Sequence, residues 1–132
     1  MTNKSLCKEA IKATENSYSP YSDFCVGAAL LCSDGSVYCG CNIENSSFTP
    51  TVCAERVAFF KAISDGKRDF VSIAVAGGKK GSVGVDETIP CGVCLQVMSE
   101  FCDGNFNVLL VKEDGYTEYK LIDLLPKSFK LE

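Results

Sequence analysis

Apolar residues recur along this chain in two rhythms, and the alternation between them marks out a succession of helices and strands. Residues 3–16 carry Leu6, Cys7, Ala10, Ile11 and Ala13 at near-helical spacing with lysines between them, which predicts an opening amphipathic helix. Residues 24–32 are almost continuously apolar and 36–43 are rich in β-forming residues, with Asp34-Gly35 between them as a hairpin turn. A polar loop over 44–52 contains Pro50. The next helix is predicted from Cys53 through Val57, Ala58, Phe60 and Ile63, with Gly66 as its stop. A third strand is expected at 70–76, followed by a glycine- and lysine-bearing loop from Gly77 to Ile89. Pro90 then stands at the entry of a helix carrying Val93, Val97, Met98 and Phe101 and stopping at Gly104. Strands at 106–111 and 116–120 flank an Asp114-Gly115 turn, and Leu121 to Leu125 form a short helix closed by Pro126.

The order α-β-β-α-β-α-β-β-α predicts an α/β fold of three layers, α/β/α, with a mixed five-stranded sheet covered by helices on both faces. No repeat, linker or low-complexity stretch divides residues 1–132, so one domain is expected. A chain of this length buries roughly two-thirds of its unfolded surface.

Charge narrows the choice of partners. The formal net charge is −4 and the pI near 4.9, which disfavours the basic footprint of a nucleic-acid groove. Residues 1–20 lack the apolar run of a signal peptide, and no stretch is apolar enough to span a bilayer, so neither nucleic acid nor membrane is an expected partner. Nine cysteines, an odd number, point to a reducing, cytoplasmic compartment in which thiols bind metal or do chemistry. Most of Cys7, Cys25, Cys32, Cys39, Cys41 and Cys102 lie among apolar residues and read as small core side chains. The chain has no histidine, which removes Ser-His-Asp and Cys-His catalysis and every His-containing zinc site.

Candidate chemistry concentrates in two fragments, Thr51-Val52-Cys53-Ala54-Glu55 and Pro90-Cys91-Gly92-Val93-Cys94, each opening a predicted helix. Cys91 and Cys94 are three apart and share a face of a first helical turn. Cys53 and Glu55 are two apart, so they converge only if Cys53 sits at or before the first helical residue. Three thiolates give zinc a tetrahedral site with its fourth position left for water, the arrangement of catalytic sites. Helix N-termini lower cysteine pKa toward the thiolate that a metal needs.

Phe24-Cys25-Val26-Gly27-Ala28-Ala29, Asn42-Ile43-Glu44-Asn45, Cys53-Ala54-Glu55-Arg56 and Pro90-Cys91-Gly92-Val93-Cys94 occur in the order and spacing of the small, homotetrameric zinc-dependent cytidine deaminases. Cys-x-Glu with a later Pro-Cys-x-x-Cys is the general pattern of zinc deaminases. The resemblance runs from about residue 5 to Phe129. It implies one Zn²⁺ per chain on Cys53, Cys91 and Cys94. It also implies hydrolytic deamination of cytidine and 2′-deoxycytidine to uridine and 2′-deoxyuridine with release of ammonia, in pyrimidine salvage. Glu55 would be the catalytic proton carrier. Arg56 would offset the negative charge that three thiolates leave around the metal. Phe24 resembles the aromatic that packs on the pyrimidine, Asn42 and Glu44 the pair that bonds the ribose 3′-hydroxyl, and Ala54 the residue whose amide meets the base. Phe129 resembles the aromatic that enters a neighbouring subunit's site in the tetramer. Leu95, where many relatives have arginine, and Phe48, where tyrosine is frequent, depart from the pattern.

Other classes compete on the same residues. Cys91-Gly92-Val93-Cys94 alone could be a redox pair on a thioredoxin-like helix. A non-catalytic structural zinc module would recruit Cys102 or Cys41 as a fourth ligand. Within the enzyme class, the nearest alternative is a zinc deaminase acting on another base or nucleoside.

Overall fold

Strand β1 (Phe24–Cys32) separates two apolar layers by simple alternation. Ala28, Leu30 and Cys32 face one layer and Ala29 faces the other. The same division runs through β3 (Phe70–Lys79), with Ile73 and Val75 opposed to Ala74 and Ala76. It continues in β4 (Asn107–Lys112), with Val108 and Leu110 opposed to Leu109 and Val111. Strands buried on both faces need apolar residues at successive positions, which explains the unbroken apolar run at 24–32. The computed structural model describes residues 1–131.

Strands β2 (Val37–Cys41) and β5 (Gly115–Lys120) complete a five-stranded sheet in the order β2-β1-β3-β4-β5. Strands β3 and β4 are parallel and the other neighbours antiparallel, so the sheet is mixed, as the sequence predicts. A parallel pair needs a crossover, and α3 (Gly92–Phe101) supplies it. Helix α1 (Asn3–Ala13) covers one face through Leu6, Cys7 and Ala10. Helices α2 (Ala54–Ser64), α3 and α4 (Leu121–Leu124) cover the other. Phe59 of α2 is fully buried there, its ring centroid 5.1 Å from that of Phe70, 6.1 Å from Phe106 and 6.5 Å from Phe101.

Helix α2 lies unusually close to the sheet. Its buried row of Ala54, Ala58 and Ala62 is built from small side chains. Opposite stands Gly40 of β2, where an added Cβ would come within 2.5 Å of the Ala54 carbonyl oxygen and 2.6 Å of the Ala58 nitrogen. The far end of α2 is closed by the predicted glycine. Gly66 has φ 90°, its N–H donates to Ile63 O at 3.0 Å, and Lys67 N–H donates to Ala62 O at 3.0 Å, the paired bonds of a Schellman cap.

Several boundaries differ from expectation, three of them near the site. Helix α1 stops at Ala13 and tightens into a 3-10 turn over Thr14–Asn16. Strand β3 runs on to Lys79, because Gly77, Gly78 and Lys79 find partners in Val26, Cys25 and Phe24. Helix α3 begins at Gly92 with Cys91 as its N-cap, so Pro90 precedes the cap instead of opening the helix.

Candidate active site and metal centre

Cys53 and Cys91 occupy equivalent places, each the N-cap of its helix. Both have extended backbone, φ −78° and ψ 155° at Cys53 and φ −69° and ψ 164° at Cys91, and neither side chain makes a capping hydrogen bond to the backbone of its helix. A cap side chain with no amide to satisfy is available to a ligand. The approach to Cys53 is fixed from outside the helix: Ile43 and Val52 exchange two backbone hydrogen bonds of 3.0 Å, closing the 44–51 loop one residue before Cys53. Cys94 sits at the third position of α3 and is almost fully buried.

These placements bring the three sulfurs together. Cys53 Sγ lies 3.6 Å from Cys91 Sγ, Cys91 Sγ lies 3.5 Å from Cys94 Sγ, and all three fall within 4.8 Å of one another. Tetrahedral zinc with Zn–S bonds of about 2.3 Å has S···S edges of about 3.8 Å, so the donor set fits that ion. Among the described residues this is the one cluster of three or more ligating side chains close enough to hold a metal. Cys41 and Cys102 are outside it, and Cys102 packs against the core with its pKa pushed up to about 12 by burial. Among the described residues no fourth thiol joins the three, as a closed structural site would require. The third sulfur also makes Cys91 and Cys94 part of a larger set than a redox pair.

Charge is distributed unequally over the cluster. Cys53 is pushed down to about 5, first by the Cys94 thiol that donates to it and then by Arg56 and Cys91, against the opposing effect of burial. Cys94 is pushed the other way, as the donor to Cys53 and through its own burial. Of that pair, Cys53 is the thiol that carries the charge. Arg56 Nη2 donates to Cys53 Sγ at 3.6 Å, and this bond holds the guanidinium protonated all the more firmly.

Glu55, one residue into α2 beyond Ala54, is 3% exposed. Burial raises its pKa to about 7, with the Cys53 charge adding to the shift and Arg56 reducing it. Its Oε1 is buried and has no hydrogen-bond partner among the described residues. A buried carboxyl oxygen without a partner, beside an open three-sulfur cluster, is suited to receive a proton from a reacting molecule.

The other predicted residues group differently. Phe24 begins β1 on the sheet face that carries α2 and α3, and lines a cleft with Gly77, Gly78 and Thr88. Asn42 is buried, its Oδ1 accepting from Val26 N at 2.9 Å and its Nδ2 donating to Phe24 O at 2.8 Å. Glu44 Oε1 accepts from Tyr21 N at 2.9 Å and Ser22 N at 3.2 Å, and Oε2 accepts from the Ser22 hydroxyl. Those bonds, led by Ser22, lower the Glu44 pKa. Asn42 and Glu44 flank the Ile43–Val52 pairing and so connect to Cys53 through one bridge. The Ala54 amide is among the N-terminal amides of α2 that have no intrahelical acceptor. Phe129 is 68% exposed, and its carbonyl accepts from Gln96 of α3 at 3.2 Å. Leu95 is a core residue, where an arginine would be buried, and Phe48 is an exposed loop residue whose ring meets Tyr21 edge-on.

Sequence reasoning missed the serines that hold these residues. Ser17 Oγ donates to Asn42 Oδ1 and Ser22 Oγ to Glu44. The available signal was the polar run Ser17-Tyr18-Ser19-Pro20-Tyr21-Ser22 directly before β1.

Fold and site together define a zinc-binding deaminase: three cysteines at two helix N-termini, a buried carboxyl beside them, and a mixed sheet behind. The family described as the cytidine and deoxycytidylate deaminase zinc-binding region matches residues 1–110. The chain belongs to that family. It is 49% identical over 133 residues to a cytidine deaminase of Sporosarcina psychrophila, covering 100% of this chain and 94% of the relative. It is 50% identical over 133 residues to the cytidine deaminase of Halalkalibacterium halodurans, with 100% and 97% coverage. The crystal structure of cytidine deaminase from Burkholderia pseudomallei superposes with a TM-score of 0.88 at 42% identity, covering 98% of this chain and 100% of that one.

Proposed function

We propose that this protein is a zinc-dependent cytidine deaminase that hydrolyses cytidine and 2′-deoxycytidine to the uridine nucleosides and ammonia. The observation that carries the reading is the Cys53, Cys91 and Cys94 cluster with the partnerless buried carboxyl of Glu55 beside it. Zinc on these sulfurs would supply a Lewis acid that lowers the pKa of water toward neutrality. Glu55, poised near neutral pH, takes one proton from the attacking water and delivers it to N3 of the base, then takes the second proton from the new C4 hydroxyl and delivers it to the leaving amine, so that the C4–N bond breaks and ammonia departs. Arg56 holds Cys53 as thiolate. Phe24 packs on the pyrimidine, the Ala54 amide meets its edge, and Asn42 and Glu44 take the ribose 3′-hydroxyl.

We also propose a homotetramer with shared sites. Phe48 at 73% exposed, Phe129 at 68% and Ile89 at 66% leave apolar surface near the two helix starts that a partner subunit would cover. Nine free cysteines suit a cytoplasmic protein serving pyrimidine salvage.

The test is Glu55→Gln in zinc-loaded protein. The variant keeps zinc and fold and loses at least about 10²–10⁴-fold in cytidine turnover, followed by ultraviolet absorbance and ammonia release. Turnover close to wild type would remove Glu55 from the chemistry.

A further inference from the structure

We propose that Ser22 is a positioning residue that ties the base-packing Phe24 to the sugar-reading Glu44, and so sets the sugar specificity of the site. The inference rests on Glu44 and Asn42 being the sugar readers.

The polarity of the Ser22 hydroxyl is fixed by its neighbours. Phe24 N–H donates into Ser22 Oγ at 3.1 Å, so Ser22 spends its own proton on Glu44 Oε2. With Oε1 already accepting from the backbone of Tyr21 and Ser22, three of the roughly four acceptor positions of the carboxylate are filled. One acceptor direction is left, on Oε2. A carboxylate bonded in this way cannot rotate to offer another.

Asn42 is fixed with the opposite polarity. Val26 N–H must face its oxygen and the Phe24 carbonyl must face its nitrogen, so the carboxamide has one orientation. Ser17 fills the second acceptor direction of Oδ1, and what remains is one N–H. Asn42 and Glu44 are two apart on an extended segment bridged on both sides, so they share a face. That face offers one donor and one acceptor. A hydroxyl meets both, whereas hydrogen in its place meets neither and leaves both unpaired.

Phe24 is the element common to the two readers. Its N–H is held by Ser22, which holds Glu44, and its C=O is held by Asn42. The ring that packs on the base and the groups that read the sugar therefore stand in one hydrogen-bonded unit, with Ser22 as the link that a side-chain change can cut.

The experiment compares cytidine with 3′-deoxycytidine in wild type, Ser22→Ala, Ser22→Thr and Glu44→Ala, each with zinc content and melting temperature measured. Ser22→Ala should raise KM for cytidine about tenfold, by more than kcat falls, and reduce the preference for cytidine over its 3′-deoxy analogue by about tenfold. Ser22→Thr, which keeps the hydroxyl, should restore both. If Glu44→Ala loses the preference while Ser22→Ala keeps wild-type KM and preference, Ser22 is a turn residue and the inference fails. A fall in kcat for both substrates with the preference intact would equally overturn it. If Glu44→Ala keeps the preference, the sugar-reader assignment itself fails.

Discussion

Arg56 donates from Nη2 to Cys53 Sγ at 3.6 Å, so the guanidinium grips the sulfur that caps its own helix. Among the charged groups, Arg56 has the largest effect in holding Cys53 down at about 5, below its ordinary value of 9.0. A depressed thiol pKa means that the thiolate persists above about 5 and is lost as pH falls through that value. Metal ligation needs the thiolate, so Arg56 should extend zinc binding toward acid pH. Arg56→Gln should move the midpoint of acid-induced zinc release to higher pH, read with a colorimetric chelator. An unchanged midpoint would make Arg56 a bystander.

Each of the three sulfurs should be needed for the metal. The purified protein should hold one zinc per chain, and Cys53→Ala, Cys91→Ala or Cys94→Ala should lower zinc content by elemental analysis and reduce thermal stability, because metal binding is coupled to folding. Full zinc in all three variants would place the centre elsewhere.

Gly40→Ala tests how α2 delivers Cys53. A methyl group there would meet the backbone at 2.5 Å from Ala54 O and 2.6 Å from Ala58 N, and the helix start must move away. The expected cost is about 1–3 kcal/mol of stability by denaturant unfolding, together with weaker zinc binding. A variant with wild-type stability and zinc affinity would show that α2 can retreat without disturbing its N-cap.

Phe129→Ala addresses assembly. This exposed aromatic is held by a main-chain bond to Gln96 on the helix that carries Cys94. The variant should raise KM for cytidine and shift the proposed tetramer toward smaller species in analytical ultracentrifugation. Wild-type protein that stays monomeric and fully active on dilution would refute shared sites.

Much of this was legible in the residues, for identifiable reasons. Apolar runs revealed β1 and β4 because both are buried on two faces, and the requirement that Cys53 and Glu55 converge placed Cys53 at the helix cap, where it is found. The extension of β3 through Gly77-Gly78-Lys79 was not legible, because glycines and a lysine form strand there only by pairing with Phe24, Cys25 and Val26, some fifty residues earlier. Pro90 was read one step too far into α3, since the cap role fell to Cys91, whose extended backbone frees its sulfur. Ser17 and Ser22 were invisible as site residues because a short hydroxyl side chain before a strand reads equally well as turn chemistry. Their partners, Asn42 and Glu44, lie more than twenty residues away.

The burial of Glu55 also makes the protein its own spectroscopic probe. Ordinary surface carboxyls have lost their protons well before neutrality, and the chain contains no imidazole, while Glu55 changes protonation at about 7. A protonated carboxyl carbonyl stretch that fades across neutral pH in difference infrared spectra therefore belongs to one oxygen pair. Its frequency reports the polarity around that buried carboxyl directly, with no label introduced.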